Sequence, residues 1–155
     1  MTSSSTTVPG SPAAIEPATW RDLNPLRQIE KECFPQDAWP LWDLIGVLTL
    51  PNIVRLKASV NGDMIGFIAG DIRRSEGLAW IATVAVLPAY QRRGVGQALM
   101  LACEAQLHVP RVRLSVRSSN SSAIRLYENI GYVRVGLWPA YYLGGEDAVV
   151  MEKEL

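Results

Sequence analysis

Ala82-Thr83-Val84-Ala85-Val86-Leu87-Pro88-Ala89-Tyr90-Gln91-Arg92-Arg93-Gly94-Val95-Gly96-Gln97-Ala98-Leu99-Met100-Leu101-Ala102-Cys103-Glu104-Ala105-Gln106-Leu107 decides how the rest of this chain is read. Ala82 to Leu87 is an apolar, β-branched run of the kind that fills a buried strand. Pro88 stops it, and Tyr90 to Gly96 form a basic, glycine-bearing turn. From Val95 the apolar residues Val95, Leu99, Leu101, Ala102 and Leu107 recur at helical spacing among good helix formers. A strand, a glycine-bearing turn and a helix N-terminus together suit an anion. The first helical N–H groups have no internal acceptor, and the macrodipole adds about half a positive charge. Gly94 and Gly96 open the backbone to a phosphate, while Arg92 and Arg93 add attraction. The plainer alternative is an ordinary strand-to-helix turn with a solvated arginine pair.

The turn is neither common nucleotide loop. A Walker A would end in Gly-Lys-Ser/Thr, whereas Gly96 is followed by Gln97 and Ala98, and the dinucleotide fingerprint would need a third glycine. The chain totals fit one globular domain. Its 155 residues are 48% hydrophobic and 19% charged, with zero formal net charge. Those values argue against disorder and against general nucleic-acid binding. No apolar run approaches the roughly 18 residues of a membrane span. Cys33 and Cys103 show no metal-ligand spacing, and a reducing cytoplasm is the simplest setting for them. His108 is the only histidine, so a multi-histidine metal site is excluded and no metal is expected. Residues 1–13, rich in Ser, Thr, Pro and Gly, read as a disordered tail, leaving residues 14–155 as the domain.

Outward from the central stretch, Ala14 to Trp20 reads as a short strand. Thr19 or Asp22 then caps a helix with Leu23, Leu26, Ile29 and Cys33 on one face, ended by Pro35. A second helix runs from about Leu41 to Leu48. Trp39 and Trp42 beside it either line a substrate mouth or anchor packing. Ile53–Val60 and Asp63–Asp71 flank Asn61-Gly62, the strongest short hairpin signal. Leu78 to Leu87 completes a meander. Val109–Val116 alternates apolar and polar residues, Ser118-Ser119-Asn120 caps a helix ending at Gly131, and Tyr132–Trp138 and Ala148–Leu155 close the chain. The order β α α β β β α β α β β predicts a mixed α/β (α+β) layer in which about four helices cover a sheet of about seven strands.

Gln91-Arg92-Arg93-Gly94-Val95-Gly96 matches the Q/R-x-x-G-x-G/A signature of the GNAT superfamily of acyl-CoA-dependent N-acetyltransferases. Further on, Leu114-Ser115-Val116-Arg117-Ser118-Ser119-Asn120-Ser121-Ser122-Ala123-Ile124-Arg125-Leu126-Tyr127-Glu128-Asn129-Ile130-Gly131-Tyr132 is similar to that family's second core motif, L-x-V-R-x-x-N-x-x-A-x-x-L-Y-x-x-x-G-F/Y. Tyr141-Tyr142 followed by Glu146-Asp147-Ala148-Val149-Val150-Met151 resembles the tail of the RimI-like ribosomal-protein-alanine N-acetyltransferases. The resemblance covers about Ile15 to Leu155 and implies the GNAT fold, with its central, mostly antiparallel sheet.

That resemblance implies acetyl-CoA as co-substrate. Val84, Ala85 and Val86 would offer backbone groups to its pantetheine arm. Gln91, Arg92, Arg93, Gly94, Val95, Gly96 and Gln97 would bind its diphosphate, and Asn120 would hydrogen-bond it. Asn120 is also what a helix N-cap requires, and both roles are compatible. Tyr127 would be the general acid that protonates the departing thiolate, although its residue type equally suits a core position. Tyr141 and Tyr142 would lie over the acceptor groove, or serve simply as strand-end aromatics. The chain departs from the family in two places. The link Leu143-Gly144-Gly145 is shorter than usual and lacks a proline, and the glutamate proposed as general base is replaced by Ser115. Glu30, Glu32, Asp37 and Glu76 are the candidate distal bases.

A weak base is tolerable for one class of acceptor. An α-amine has a pKa near ~8 against ~10.4 for lysine, so roughly a tenth of it is already neutral at pH 7. The expected reaction is transfer of acetyl to a protein N-terminal α-amine, by a monomer or homodimer. Two alternatives stand beside it: acetylation of a small amine such as a polyamine, amino acid or antibiotic, and an acyl-CoA-binding module without catalysis.

Overall fold

The computed structural model describes residues 6–7 and 13–155. The strands are β1 (Thr6–Thr7), β2 (Ala14–Pro17), β3 (Ile53–Val60), β4 (Asp63–Arg73), β5 (Leu78–Val86), β6 (Arg111–Arg117), β7 (Val133–Trp138) and β8 (Ala148–Glu154). The helices are α1 (Leu23–Cys33), α2 (Leu41–Thr49), α3 (Val95–Leu107) and α4 (Ser121–Asn129). One mixed sheet holds all strands in the order β1-β2-β3-β4-β5-β6-β8-β7. Every pairing is antiparallel except β5 with β6, which α3 connects as a crossover. Most of the expected tail lies outside the described residues. Within it, Thr6–Thr7 pairs with Ala14–Ile15 and Ala13 is buried.

Local chemistry explains most of these elements. Asn61 and Gly62 both take positive φ, 52° and 85°, as a two-residue hairpin joining Val60 to Asp63 requires. The expected first strand stops at Pro17 rather than reaching Trp20. Thr19 instead caps a 3-10 turn at Trp20–Asp22, and its own amide donates to Asp22 Oδ2 at 2.8 Å. That turn leads directly into α1. Asn120 caps α4 by accepting from the Ala123 amide at 3.2 Å. After α4, the Tyr132 amide donates to the Tyr127 carbonyl at 3.0 Å, with Gly131 at φ 105°, so Tyr132 belongs to the helix stop rather than to the strand.

Two layers of helix cover the sheet. α3 and α4 pack on one face, with Leu99, Met100, Cys103, Leu107, Ile124 and Tyr127 in the larger core. α1 and α2 cover the other, around Leu26, Leu44, Val47 and Phe67. Among the described residues no helix is long and apolar enough to cross a membrane.

The parallel pair creates the opening that matters. β5 and β6 are paired only from Leu78↔Arg111 to Trp80↔Arg113, although both strands continue. Next to this point, the β4–β5 register skips Ala82, since Ala69 faces Thr83 while Gly70 faces Ile81. Such a bulge bends and twists its strand. Thr83 to Val86 therefore run beside a gap, with β4 on one edge and no strand on the other.

Candidate active site

The turn after β5 is built from backbone rather than side chains. Arg92 and Gly94 take φ of 62° and 81°, left-handed positions that turn the chain tightly from the extended Gln91 into α3. Among the described residues no carbonyl accepts from the backbone amides of residues 92–97, and the first bonded one is Ala98 to the Gly94 carbonyl at 3.0 Å. A Cβ on Gly94 would meet nothing within 4 Å, so its backbone angle is what demands glycine. Gly96 has a different reason. There a Cβ would come 3.3 Å from Leu126 Cδ2, where the start of α3 packs on α4.

The side chains of this turn divide. Gln91 Nε2 donates to the Val86 carbonyl at 2.9 Å and pins the turn to the strand end. Arg93 lies over the Tyr90 ring, 5.5 Å from its centre. Arg92 faces an open groove of ≈ 520 Å³ shared with Ser121, Ser122, Arg125, Leu126 and Asn129 of α4. None of these α4 groove residues was singled out by the sequence, although helical spacing from the Asn120 cap could have found them. Asn120 spends only its Oδ1 on the cap, which leaves Nδ2 a free donor among the described residues.

Tyr127 lies on α4 within the α3/α4 core. It is buried against Tyr132, with ring centres 5.9 Å apart, and its hydroxyl has no hydrogen-bond partner among the described residues. Burial, and secondarily the Tyr142 phenol, push its pKa above the ordinary tyrosine value. A buried phenol therefore stays protonated at neutral pH.

On β6, Val112, Leu114 and Val116 belong to the α3/α4 core, so Arg113, Ser115 and Arg117 face the opposite side. Ser115 Oγ lies 3.2 Å from the Tyr142 hydroxyl. Arg117 is a hub that the sequence did not reveal. Its guanidinium donates to both Asp37 oxygens at 2.8 Å, to Glu146 Oε1 at 2.9 Å and to the Leu143 carbonyl at 3.2 Å. It also stacks 4.8 Å from the Tyr142 ring centre. Glu146 accepts in addition from the Ser119 amide at 2.7 Å. The Ser119 and Arg117 bonds hold its carboxyl down at about 2. Trp80, Trp138, Tyr141 and Tyr142 continue from this hub as a chain of rings with centres 5.0–5.7 Å apart.

The four candidate carboxylates separate cleanly. Asp37 has both oxygens on Arg117. Glu32 is exposed and accepts from Gln28. Glu76 lies in the turn before β5, at the strand end away from the gap, 3.9 Å from Arg73. Glu30 alone is buried, with Oε2 accepting from the Thr83 hydroxyl at 3.1 Å. Trp39 packs into the α1/α2 core while Trp42 is 78% exposed, so the two tryptophans do not close one mouth.

The turn with unpaired amides thus lies on one side of a split parallel pair, and the Ser115–Tyr142 hydroxyl pair lies across the sheet. Residues 20–132 match the Acetyltransferase (GNAT) family, and the chain belongs to that family of acetyl-CoA-dependent enzymes as an N-acetyltransferase. It is 32% identical over 148 residues to the N-alpha-acetyltransferase RimI of Mycobacterium tuberculosis, covering 92% of this chain and 93% of that protein. It is 30% identical to the N-terminal acetyltransferase A complex catalytic subunit NAA10 of Arabidopsis thaliana, covering 91% and 77%. The crystal structure of the ribosomal-protein-S18-alanine N-acetyltransferase from Escherichia coli superposes with a TM-score of 0.83 at 28% identity, covering 92% and 93%.

Proposed function

We propose that this chain transfers the acetyl group of acetyl-CoA to the N-terminal α-amine of a protein. The observation that carries the reading is the gap between β5 and β6, with unpaired turn amides and an open groove toward α4 on one face and the Ser115–Tyr142 hydroxyl pair on the other. Two relatives that span nearly the whole of this chain are named N-alpha-acetyltransferases, which supports an α-amine acceptor over a small amine. The separation of Trp39 from Trp42 supports it too, because a small-molecule pocket needs walls that close. Reduced Cys33 and Cys103 accord with a cytoplasmic enzyme.

In this reading the residue 92–97 amides and the guanidinium of Arg92 bind the diphosphate. Asn120 Nδ2 and the β5 edge at Val84, Ala85 and Val86, which no strand pairs beyond Trp80 and whose Val86 carbonyl is already held by Gln91, orient the arm that carries the thioester. Tyr141 and Tyr142 hold the acceptor chain. The amine attacks the thioester directly, and Tyr127 gives its proton to the departing sulfur. Much of the rate comes from positioning two bound substrates in one gap.

The test is CoA release with two peptides, one beginning with a free alanine and one blocked at its α-amine but carrying a free lysine. Turnover with the first alone is expected. Turnover only with the blocked peptide, or only with small amines, would overturn the α-amine assignment.

A further inference from the structure

Direct attack requires a neutral amine, and an α-ammonium must first lose a proton. The Ser115 hydroxyl does not take one from an ammonium at neutral pH. Glu32 and Glu76 are away from the gap, and Asp37 is committed to Arg117. Glu30 is 1% exposed and, among the described residues, is in no ion pair. Its Oε1 is buried without any hydrogen-bond partner. A packed core does not call for a half-satisfied carboxylate there, since an apolar side chain would avoid the desolvation.

The one hydroxyl that Glu30 holds is well placed. Thr83 is the first residue after the Ala82 bulge, on the stretch of β5 that has lost β6. It immediately precedes Val84, where the thioester arm is expected. It turns to the α1 side of the sheet, the side that Ser115 and Tyr142 also occupy across the gap. Its Oγ1 donates to Glu30 and keeps lone pairs to accept from a second donor. Glu30 is buried on α1, the helix that with α2 covers this face of the sheet over Leu44, Val47, Phe67 and Ala69. The titratable neighbours are Glu32 and Cys33 of its own helix, and the Cys33 thiol is pushed up to about 11, chiefly by burial. Burial likewise raises the Glu30 carboxyl, against the opposing bonds from Thr83 and the Trp39 amide. That shift moves it toward the range in which a proton acceptor works best near pH 7.

We propose that Glu30 is the proton acceptor of the reaction and that the Thr83 hydroxyl relays the proton to it. The inference rests on the acetyltransfer reading above. An ammonium N–H proton passes to Thr83 Oγ1 as the hydroxyl proton moves to Glu30 Oε2, leaving a neutral amine and a neutral carboxylic acid. The C–N bond then forms and the C–S bond breaks, and sulfur takes the Tyr127 proton. The second proton of the attacking nitrogen restores Tyr127, and Glu30 returns its proton to solvent before the next turnover.

The test is the pH profile of kcat/KM for wild type, Glu30→Gln, Thr83→Val, Thr83→Ser and the Glu30→Gln/Thr83→Val pair. It uses whichever amine the wild type accepts, with acetyl-CoA binding and thermal melting as controls for the fold. Glu30→Gln and Thr83→Val should each lower kcat/KM at pH 7 by about 10²-fold or more. The loss should shrink as pH passes the amine pKa, because the amine then arrives already neutral. Thr83→Ser should restore most of the rate, and the double variant should be no worse than Glu30→Gln alone. A loss of equal depth at every pH, additive effects or unchanged rates would overturn the relay. If Glu30→Gln does not hold its fold, the Thr83→Val and Thr83→Ser profiles decide alone. A wild type that prefers another amine overturns the acceptor assignment and leaves the relay to the same profiles, while one that acetylates no amine overturns both.

Discussion

At the scale of single residues, Tyr127 shows how burial assigns chemistry. Its ring is fixed against Tyr132 at 5.9 Å, while its hydroxyl is unpaired among the described residues. Since burial raises its pKa, it is fully protonated at working pH and available as a donor to sulfur. Tyr127→Phe preserves the ring packing and removes only the hydroxyl. It should lower kcat by about 10²–10⁴-fold while leaving acetyl-CoA affinity nearly unchanged, read by steady-state kinetics beside a binding titration. An undiminished rate would remove the acid role.

At the scale of elements, the acceptor pocket depends on an ionic clasp among three segments. Arg117 at the end of β6 holds Asp37 from the α1–α2 loop and Glu146 from the β7–β8 loop. Arg117→Ala should raise the acceptor KM about tenfold or more and disturb cofactor binding far less, because the diphosphate turn lies on the other face. The pH dependence follows from Glu146. Its folded pKa of about 2 lies below that of an unfolded glutamate, near ~4.3. The clasp therefore contributes fully above the unfolded value and loses its contribution as pH falls toward 2. Melting temperatures of wild type and Glu146→Gln should differ by a constant amount from pH 6 to pH 8 and converge in acid.

At the scale of the whole molecule, the turn after β5 is tied to the strand end by Gln91 and packs on α4 at Gly96, so the proposed cofactor would span three elements that already adjoin. A ligand that bridges them should bind the folded state alone. At 100 times its Kd such a ligand stabilises by about 2.7 kcal/mol. For a chain of this size that corresponds to a rise in Tm of roughly 5–10 °C. Melting with saturating CoA measures it, and Arg92→Glu should reduce the shift by removing attraction in the groove. No shift at saturation would displace the cofactor from this gap.

Much of this architecture was legible residue by residue. The Asn61-Gly62 hairpin, the strand, turn and helix from Ala82 to Leu107, and the Asn120 cap are set by backbone preferences and side-chain bonds within a few positions. Those forces act before any tertiary contact exists, so the element order and the glycine-bearing turn could be read directly. Boundaries failed where a local rival won, as at Thr19, whose capping turn ended the first strand early.

The chemistry of the acceptor side needed the folded chain. Asp37 and Glu30 look alike as candidate bases in the sequence, yet one meets Arg117 across 80 residues and the other meets Thr83 across 53. The loss of β5–β6 pairing after Trp80 and the facing of Ser115 toward Tyr142 likewise arise from sheet register and twist. The sequence by itself determined the elements and the family, because local propensity and motif spacing are encoded in neighbouring residues. Which candidate carboxylate is ion-paired and which is buried outside any ion pair emerges only in the folded chain, because burial and pairing are properties of surroundings assembled from distant parts of the sequence.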